Sequence, residues 1–418
     1  MYSKNDFKNM ASVKYYLNEV DKNTAKGVAQ KSLLSKRSII TYMAVNGACT
    51  LAELADELHM SIPTVTKLVA ELQEDEIVVD YGKIETQGGR RPNQYGLAQS
   101  AIYFVGVDVC HRSINFVLTD LKNNIIDIKR GMAFELLNTP ECLDELCLLI
   151  SDYIAALKLE HDKIMGVGVN LSGRINSASG YSYYYFNWTR KPLSEYLEEK
   201  IGFKVLIEND TRSSCYGEYM TGPNEGVKNV IYFYLSHGSA VGIIIDGKLY
   251  YGKSGFAGEF GHTPVYDNEI ICQCGKKGCL ETEVSGIALE RQMKAKIKEG
   301  QSSMLSERIL NGGQIVMQDI VEAARQDDVL SIELIEEMGE KAGRAIATLI
   351  NLFNPELFII GGSIAKAGDY FLLPVKAAVN KHSLSLVNRD TEFTVSQLGD
   401  DAGLIGVAML IRKRILGL

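Results

Sequence analysis

The chain has 418 residues, 46% of them hydrophobic and 23% charged, with a formal net charge of −8. That length gives room for two or three domains with sizeable cores, and the composition is that of an ordinary globular protein. No apolar run approaches the roughly 20 residues of a membrane span, and the polar start MYSKNDFKNMASVKYYLNEV has no leader-like apolar stretch. The expectation is a cytoplasmic protein with no membrane partner. The acidic total weighs little against nucleic-acid binding, because the first 97 residues carry as many basic as acidic side chains and the excess acid lies downstream.

Residues 1–30 are polar and read as an N-terminal arm. From Leu33 to Val45 the apolar pattern predicts a helix that Asn46-Gly47 ends. Thr50 stands three residues before Glu53, a capping-box signature, and Leu51, Leu54, Ala55 and Leu58 follow at helical spacing. Ser61 then caps a further helix with Pro63 in its first turn, and Val65, Leu68, Val69 and Leu72 form its buried stripe. Ile77-Val78-Val79 and Gln94–Leu97 read as a hairpin. Three helices and a hairpin within residues 31–97 make a winged helix-turn-helix. On the second helix of that motif, Thr64, Thr66 and Lys67 fall opposite the apolar stripe, where hydroxyls and a lysine suit base edges and phosphates. The wing carries Gly88-Gly89-Arg90-Arg91-Pro92, and its paired arginines Arg90 and Arg91 suit a minor groove or a phosphate clamp.

Beyond Ser100 apolar strands alternate with helical patterns. Strands are expected at Ile102–Val109, Asn115–Asp120, Ile164–Asn170, Val205–Ile207, Val230–Leu235, Gly242–Ile245 and Leu357–Ile360. Helices are expected at Ile315–Gly339 and Ala342–Phe353, and the alternation implies an α/β architecture.

Of the eight cysteines, Cys49, Cys110, Cys142, Cys147 and Cys215 are scattered, as in a reducing compartment. The other three, Cys272, Cys274 and Cys279, lie among glycines shortly after His262. One imidazole and three thiolates supply a complete tetrahedral set, so the expected cofactor is a structural Zn2+ held by His262, Cys272, Cys274 and Cys279.

The segment Cys272-x-Cys-Gly-x-x-Gly-Cys-Leu-Glu281, with Gly258-Glu-Phe-Gly-His262 before it, resembles the ROK family of bacterial sugar repressors and sugar kinases. Glu208-Asn209-Asp210, Asn354-Pro355-Glu356 and Ile360-Gly361-Gly362-Ser363 support the likeness, and the Gly-Gly-Arg-Arg-Pro wing is similar to that of the repressor branch. The resemblance implies a winged helix-turn-helix followed by a two-lobed sensor of the actin/hexokinase (ribonuclease H-like) kind. The lobes are expected at 98–215, with 395–418 packing back on it, and at 216–394, which holds the zinc. By the same likeness Asn209, Asp210, Glu259, His262 and Glu281 face a sugar's hydroxyls, joined by Gly173, Arg174 and Asn187. Carboxylates and an amide are independently what a polyol needs.

The kinases of the family open their sensor with Asp-x-Gly-Gly-Thr-Lys; here the strand ends Asp108-Val109-Cys110-His111-Arg112-Ser113. Their second phosphate loop, Gly-Thr-Gly-x-Gly-Gly-Gly, is replaced by Ser236-His237-Gly238-Ser239-Ala240-Val241-Gly242. Loss of the glycines that let backbone amides point at phosphate argues against phosphoryl transfer, so no catalytic residue is expected. The reading is a transcriptional repressor of sugar-metabolism genes that binds an inverted-repeat operator as a homodimer or dimer of dimers and answers to a sugar or sugar phosphate. Two alternatives stand beside it: an ATP-dependent ROK kinase of a hexose or amino sugar, with Asp210 as base, and a regulator that answers to a protein partner.

Overall fold

The structure is a computed structural model that describes residues 28–83, 92–222 and 226–418. Arg90 and Arg91 of the expected DNA contacts, and nearly all of the expected N-terminal arm, lie outside the described residues. Among the described residues no helix is long and apolar enough to cross a membrane. Contacts divide the chain into two units. The first takes in the described residues up to Leu171, Ser179–Glu208 and Val407–Leu418; the second is Ser172–Ala178 and Asn209–Gly406.

The first unit begins with α1 (Val28–Asn46), β1 (Cys49–Thr50), α2 (Leu51–Glu57) and α3 (Ile62–Glu74). The expected capping box is formed: Thr50 accepts from the Glu53 amide at 3.2 Å, and Glu53 accepts from the Thr50 amide at 2.7 Å. β2 (Val78–Lys83) and β3 (Asn93–Leu97) make the hairpin. Sequence reading did not anticipate β1, which adds to the sheet by pairing Cys49 with Tyr95 and Thr50 with Gln94.

A larger sheet follows, built from β4 (Tyr103–Val109), β5 (Ser113–Asp120), β6 (Ile125–Ala133), β7 (Ile164–Leu171) and β8 (Val205–Asn209), in the order β8-β7-β4-β5-β6. β4 and β7 run parallel, while β4-β5-β6 is an antiparallel meander. β6 was missed from sequence because it is an edge strand with an exposed face, including Ile125 and Ile126, and shows no apolar alternation. α4 (Pro140–Ala156) and α5 (Leu193–Ile201) also belong to this unit.

The second unit starts with α6 (Asp210–Thr221). Its sheet holds β9 (Val230–Leu235), β10 (Ser239–Ile245), β11 (Lys248–Leu249), β12 (Leu357–Gly361) and β13 (Glu392–Val395), in the order β11-β10-β9-β12-β13. Here too the first three strands form an antiparallel meander, while β12 joins the first strand in parallel and β13 joins β12 in parallel. The two sheets therefore share one pattern, third-second-first-fourth-fifth, the internal duplication that a two-lobed actin-like fold requires. Phe233, Met338, Ile346, Phe358, Ile360 and Phe371 sit in the main core of this unit.

α7 (Gly286–Lys298), α8 (Met317–Arg325), α9 (Val329–Phe353) and α10 (Asp369–His382) pack about that core. The helices expected at Ile315–Gly339 and Ala342–Phe353 are thus corrected. The break comes at Asp327, whose φ is 65°, and Asp328 caps α9 by accepting from the Ser331 amide at 3.1 Å. Gly339 does not stop the helix: it lets the α10 backbone approach, since a Cβ there would come within 2.9 Å of the Phe371 carbonyl.

The unit limits also differ from the sequence-based ones. The change falls after Glu208 rather than 215, because α6 packs on β10 of the second sheet. The return to the first unit begins at Val407 rather than 395, because β13 pairs with β12. The last helix, α11 (Ala402–Leu416), is one unbroken element with residues in both units.

Candidate functional site

In the winged helix-turn-helix, Val65, Leu68, Val69 and Leu72 of α3 are buried, and Thr64, Thr66 and Lys67 are exposed as expected. Both threonine hydroxyls also serve the helix. Thr64 Oγ1 lies 2.8 Å from Ser61 Oγ, and Thr66 Oγ1 donates to the Ile62 carbonyl at 2.8 Å. The Lys67 side chain is 78% exposed, with its Nζ 3.9 Å from Glu71 one helical turn on. Sequence reading missed Lys36, which is buried and pairs with Glu71 at 2.9 Å, fixing α1 against α3.

In the second unit the ligand atoms of His262, Cys272, Cys274 and Cys279 all lie within 4.8 Å of one another. Cys272 Sγ is 3.5 Å from His262 Nδ1, and Cys274 Sγ is 3.6 Å from Cys279 Sγ. Gly278 makes the convergence possible: its φ is 74°, and a Cβ there would come within 2.1 Å of the Tyr266 carbonyl. Burial pushes the Cys272 thiol up to about 12. The opposite ring nitrogen of His262, Nε2, lies 3.7 Å from Glu259 Oε2, so the imidazole shows one nitrogen to the thiols and the other to a carboxylate.

The carboxylates of the expected sugar pocket belong to the same unit. Asp210 opens α6, and Asn209 caps it by accepting from the Arg212 amide at 3.1 Å. Asn209 Nδ2 donates to the Gly173 carbonyl and to Asp210 Oδ1, both at 3.0 Å. Asp210 further accepts from Ser172 Oγ at 2.8 Å and from the Thr211 amide at 2.7 Å. Its surroundings raise its carboxyl above the usual carboxylate range by desolvation, against the pull of those hydrogen bonds. Glu259 is raised by burial as well, with the charges of His262 and Arg174 acting the other way. Arg174 itself is exposed. Glu281 lies beside Cys272, Oε1 being 3.7 Å from its Sγ. Asn187 belongs to the first unit, where its Oδ1 accepts from Asn138 Nδ2 at 3.2 Å.

Sequence reading missed two residues of this region. One is Ser172, the donor to Asp210. The other is Arg212, buried, with NH1 donating to the Gly255 carbonyl at 2.7 Å and NH2 to the Ile175 carbonyl at 2.8 Å. Its partners lie about forty positions away, and no local pattern announces them.

Both glycine-poor turns are closed structures. In the first unit Cys110 donates its amide to the Ser113 carbonyl at 2.9 Å, and His111 Nδ1 sits 3.3 Å from the Tyr185 hydroxyl. In the second, Ser236 donates its amide to the Gly238 carbonyl at 3.0 Å, while Ser239 donates its amide to Glu281 Oε2 at 3.2 Å. An anionic side chain thus uses an amide of the turn that phosphate would have to approach.

A winged helix-turn-helix on a duplicated α/β fold, with clustered carboxylates beside a Cys3His set, defines a regulator-type chain built on a sugar-kinase scaffold. The chain belongs to the ROK family, which it matches over residues 104–414, and residues 34–79 match a winged helix-turn-helix DNA-binding family. It is 30% identical over 322 residues to a glucokinase of Halalkalibacterium halodurans, covering 75% of this chain and 96% of that protein. It is 27% identical over 398 residues to a xylose repressor of Bacillus spizizenii, covering 95% of this chain and 98% of that one. A crystal structure of a ROK family transcriptional regulator, a homolog of the E. coli MLC protein, superposes with a TM-score of 0.76 at 25% identity, covering 93% of this chain and 97% of that one.

Proposed function

We propose that this chain is a sugar-responsive transcriptional repressor. In this reading α3 enters the major groove of an operator, with Thr64, Thr66 and Lys67 facing the DNA and Arg90 and Arg91 gripping it from the wing. A sugar is held by Gly173, Arg174, Asn209, Asp210, Glu259, His262 and Glu281 of the second unit. The observation that carries the reading is the Glu281 carboxylate on the Ser239 amide, in a chain that also bears a winged helix. It favours a pocket that binds a polyol without handling a nucleotide. The likeness to xylose repressors extends over nearly the whole chain, whereas the glucokinase covers three quarters of it. A pentose or hexose is therefore the effector class, and D-xylose the first to test.

His262, Cys272, Cys274 and Cys279 are the residues that would hold Zn2+. A tetrahedral ion with bonds near 2.3 Å to sulfur needs sulfur–sulfur edges of about 3.8 Å, and the 3.6 Å edge from Cys274 to Cys279 fits. Four protein ligands leave no open position, so the ion would be structural. It would also fix the His262 ring with Nε2 turned toward Glu259 and a sugar hydroxyl. The functional species is a homodimer or dimer of dimers on an inverted repeat, since paired recognition helices need half-sites a whole helical turn apart.

The test selects duplexes from a random pool with the purified chain and measures affinity with and without D-xylose, D-glucose and their phosphates. An inverted repeat whose affinity changes with one of these sugars is the expected result; binding no tighter than to random DNA would end the reading. One observation favours a second reading, an ATP-dependent sugar kinase: Asp210 is oriented by Ser172 and Thr211 and has a raised pKa, as a general base requires. Phosphorylation of a sugar by ATP and Mg2+ would promote it.

A further inference from the structure

The two ends of the described chain meet within the first unit. Arg412 of α11 is buried, and its guanidinium forks: NH2 donates to the Ala44 carbonyl at 2.7 Å and Nε to the Leu121 carbonyl at 2.7 Å. Ala44 lies in the last turn of α1, where carbonyls have no partner within the helix and a cation is favoured. The contact is reciprocal. Thr41 Oγ1 of α1 donates to the Leu416 carbonyl at the end of α11, at 3.3 Å. Leu121 starts the β5–β6 turn, whose Lys122 Nζ lies 3.4 Å from the Tyr81 hydroxyl of β2 and 5.2 Å from the centre of that ring. Arg412 therefore ties together a helix of the DNA-binding head and the sensor turn against which the wing hairpin rests.

The other end of the same helix lies against α6, whose first residue is Asp210. A Cβ on Gly406 would fall 1.8 Å from the Ser213 carbonyl, and one on Gly217 would fall 2.4 Å from the Ala402 carbonyl. With no side chain between the two backbones, a shift of α6 has no slack to absorb it before α11 moves.

We infer that Arg412 is a positioning residue that carries the occupancy of the Asp210 pocket to the DNA-binding head, through α6, α11 and the end of α1. The inference rests on the sugar-responsive reading above. A ligand that alters the setting of α6 biases α11, and the guanidinium fork converts that bias into a setting of α1 against the β5–β6 turn. Coupling of this kind needs a physical element that both sites bias, and the unbroken α11 supplies it.

The test compares wild type with Arg412→Met and Arg412→Lys in the full chain. Operator affinity is measured on the selected duplex with and without D-xylose or D-glucose, sugar affinity by calorimetry, and folding by thermal unfolding. Wild type should show a sugar-dependent change of about 5–150-fold, and Arg412→Met about twofold or less. Operator and sugar affinities taken separately should remain within a few-fold of wild type. Arg412→Lys, which keeps the charge but not the fork, should fall between the two. An Arg412→Met chain that responds as fully as wild type overturns the inference. Loss of operator binding in both variants also overturns it, because the arginine then serves only the head's own fold. A wild type deaf to every sugar tested overturns the underlying reading, and the inference with it, and is recognised without either variant.

Discussion

The Glu281 carboxylate accepts a hydrogen bond from the Ser239 amide at 3.2 Å, and its Oε2 would be 2.6 Å from a Cβ on Gly238. A phosphate approaching that turn would meet a negative charge already holding one of its donors. We therefore expect no phosphorylation of D-glucose, D-xylose or N-acetylglucosamine above background with ATP and Mg2+. A coupled assay that found turnover of about 1 per second or more would place the chain among working enzymes.

Asp210→Asn should trade function for stability. The native carboxyl pKa is raised, so its contribution to stability is complete below the unfolded value of about 3.9 and is lost as pH rises through the folded value. At pH 7 the asparagine variant should unfold a few degrees higher than wild type, and the gain should vanish near pH 3.5. Removing a charged hydrogen-bond partner should weaken sugar binding by about 10–100-fold. Operator affinity without sugar should be unchanged. Thermal scans across pH, with calorimetry, check each part.

The cysteine cluster makes a compositional prediction. Elemental analysis should find about one zinc per chain, as a single four-ligand site demands. Cys274→Ser should lose the metal and destabilise the second unit, because binding is coupled to folding. Zinc uptake should release protons, since the Cys272 thiol is raised by burial and must ionise to bind. A full zinc complement in Cys274→Ser would reassign the ligands.

On DNA, Lys67→Ala should lower affinity about equally for all sequences and reduce the log–log salt slope by about one, the signature of a lost phosphate contact. The Arg90→Ala/Arg91→Ala double variant should reduce it further while binding sugar normally. Fluorescence anisotropy against salt measures both. A slope unchanged in Lys67→Ala would remove that residue from the interface.

What was legible in the sequence was local. The Thr50–Glu53 capping box, the Val65–Leu72 stripe and the cysteine spacing each declare themselves within a dozen or so residues, and each is formed as read. The strand meanders were legible where a strand is buried, and not at β6, whose edge position removes the alternation on which the reading depends. The Asp327–Asp328 break was hidden by Gly339, which looks like a helix stop and serves as a contact. Ser172, Arg212 and Arg412 were invisible for a different reason: their partners lie from 37 to 368 positions away, and a single sequence carries no mark of such pairings.

The pairing of Arg412 with Ala44 also has a consequence in time. The two residues are separated by 368 positions, so a ribosome adding about 5–20 residues per second delivers the arginine roughly 20–70 s after the alanine. For that interval the Ala44 carbonyl at the end of α1 lacks its guanidinium partner. A chain broken off before Arg412 leaves the head in that state for good. The head thus acquires its tie to the pocket only when the sensor behind it has been synthesised, so by the inference above an incomplete chain carries a head that no sugar can address.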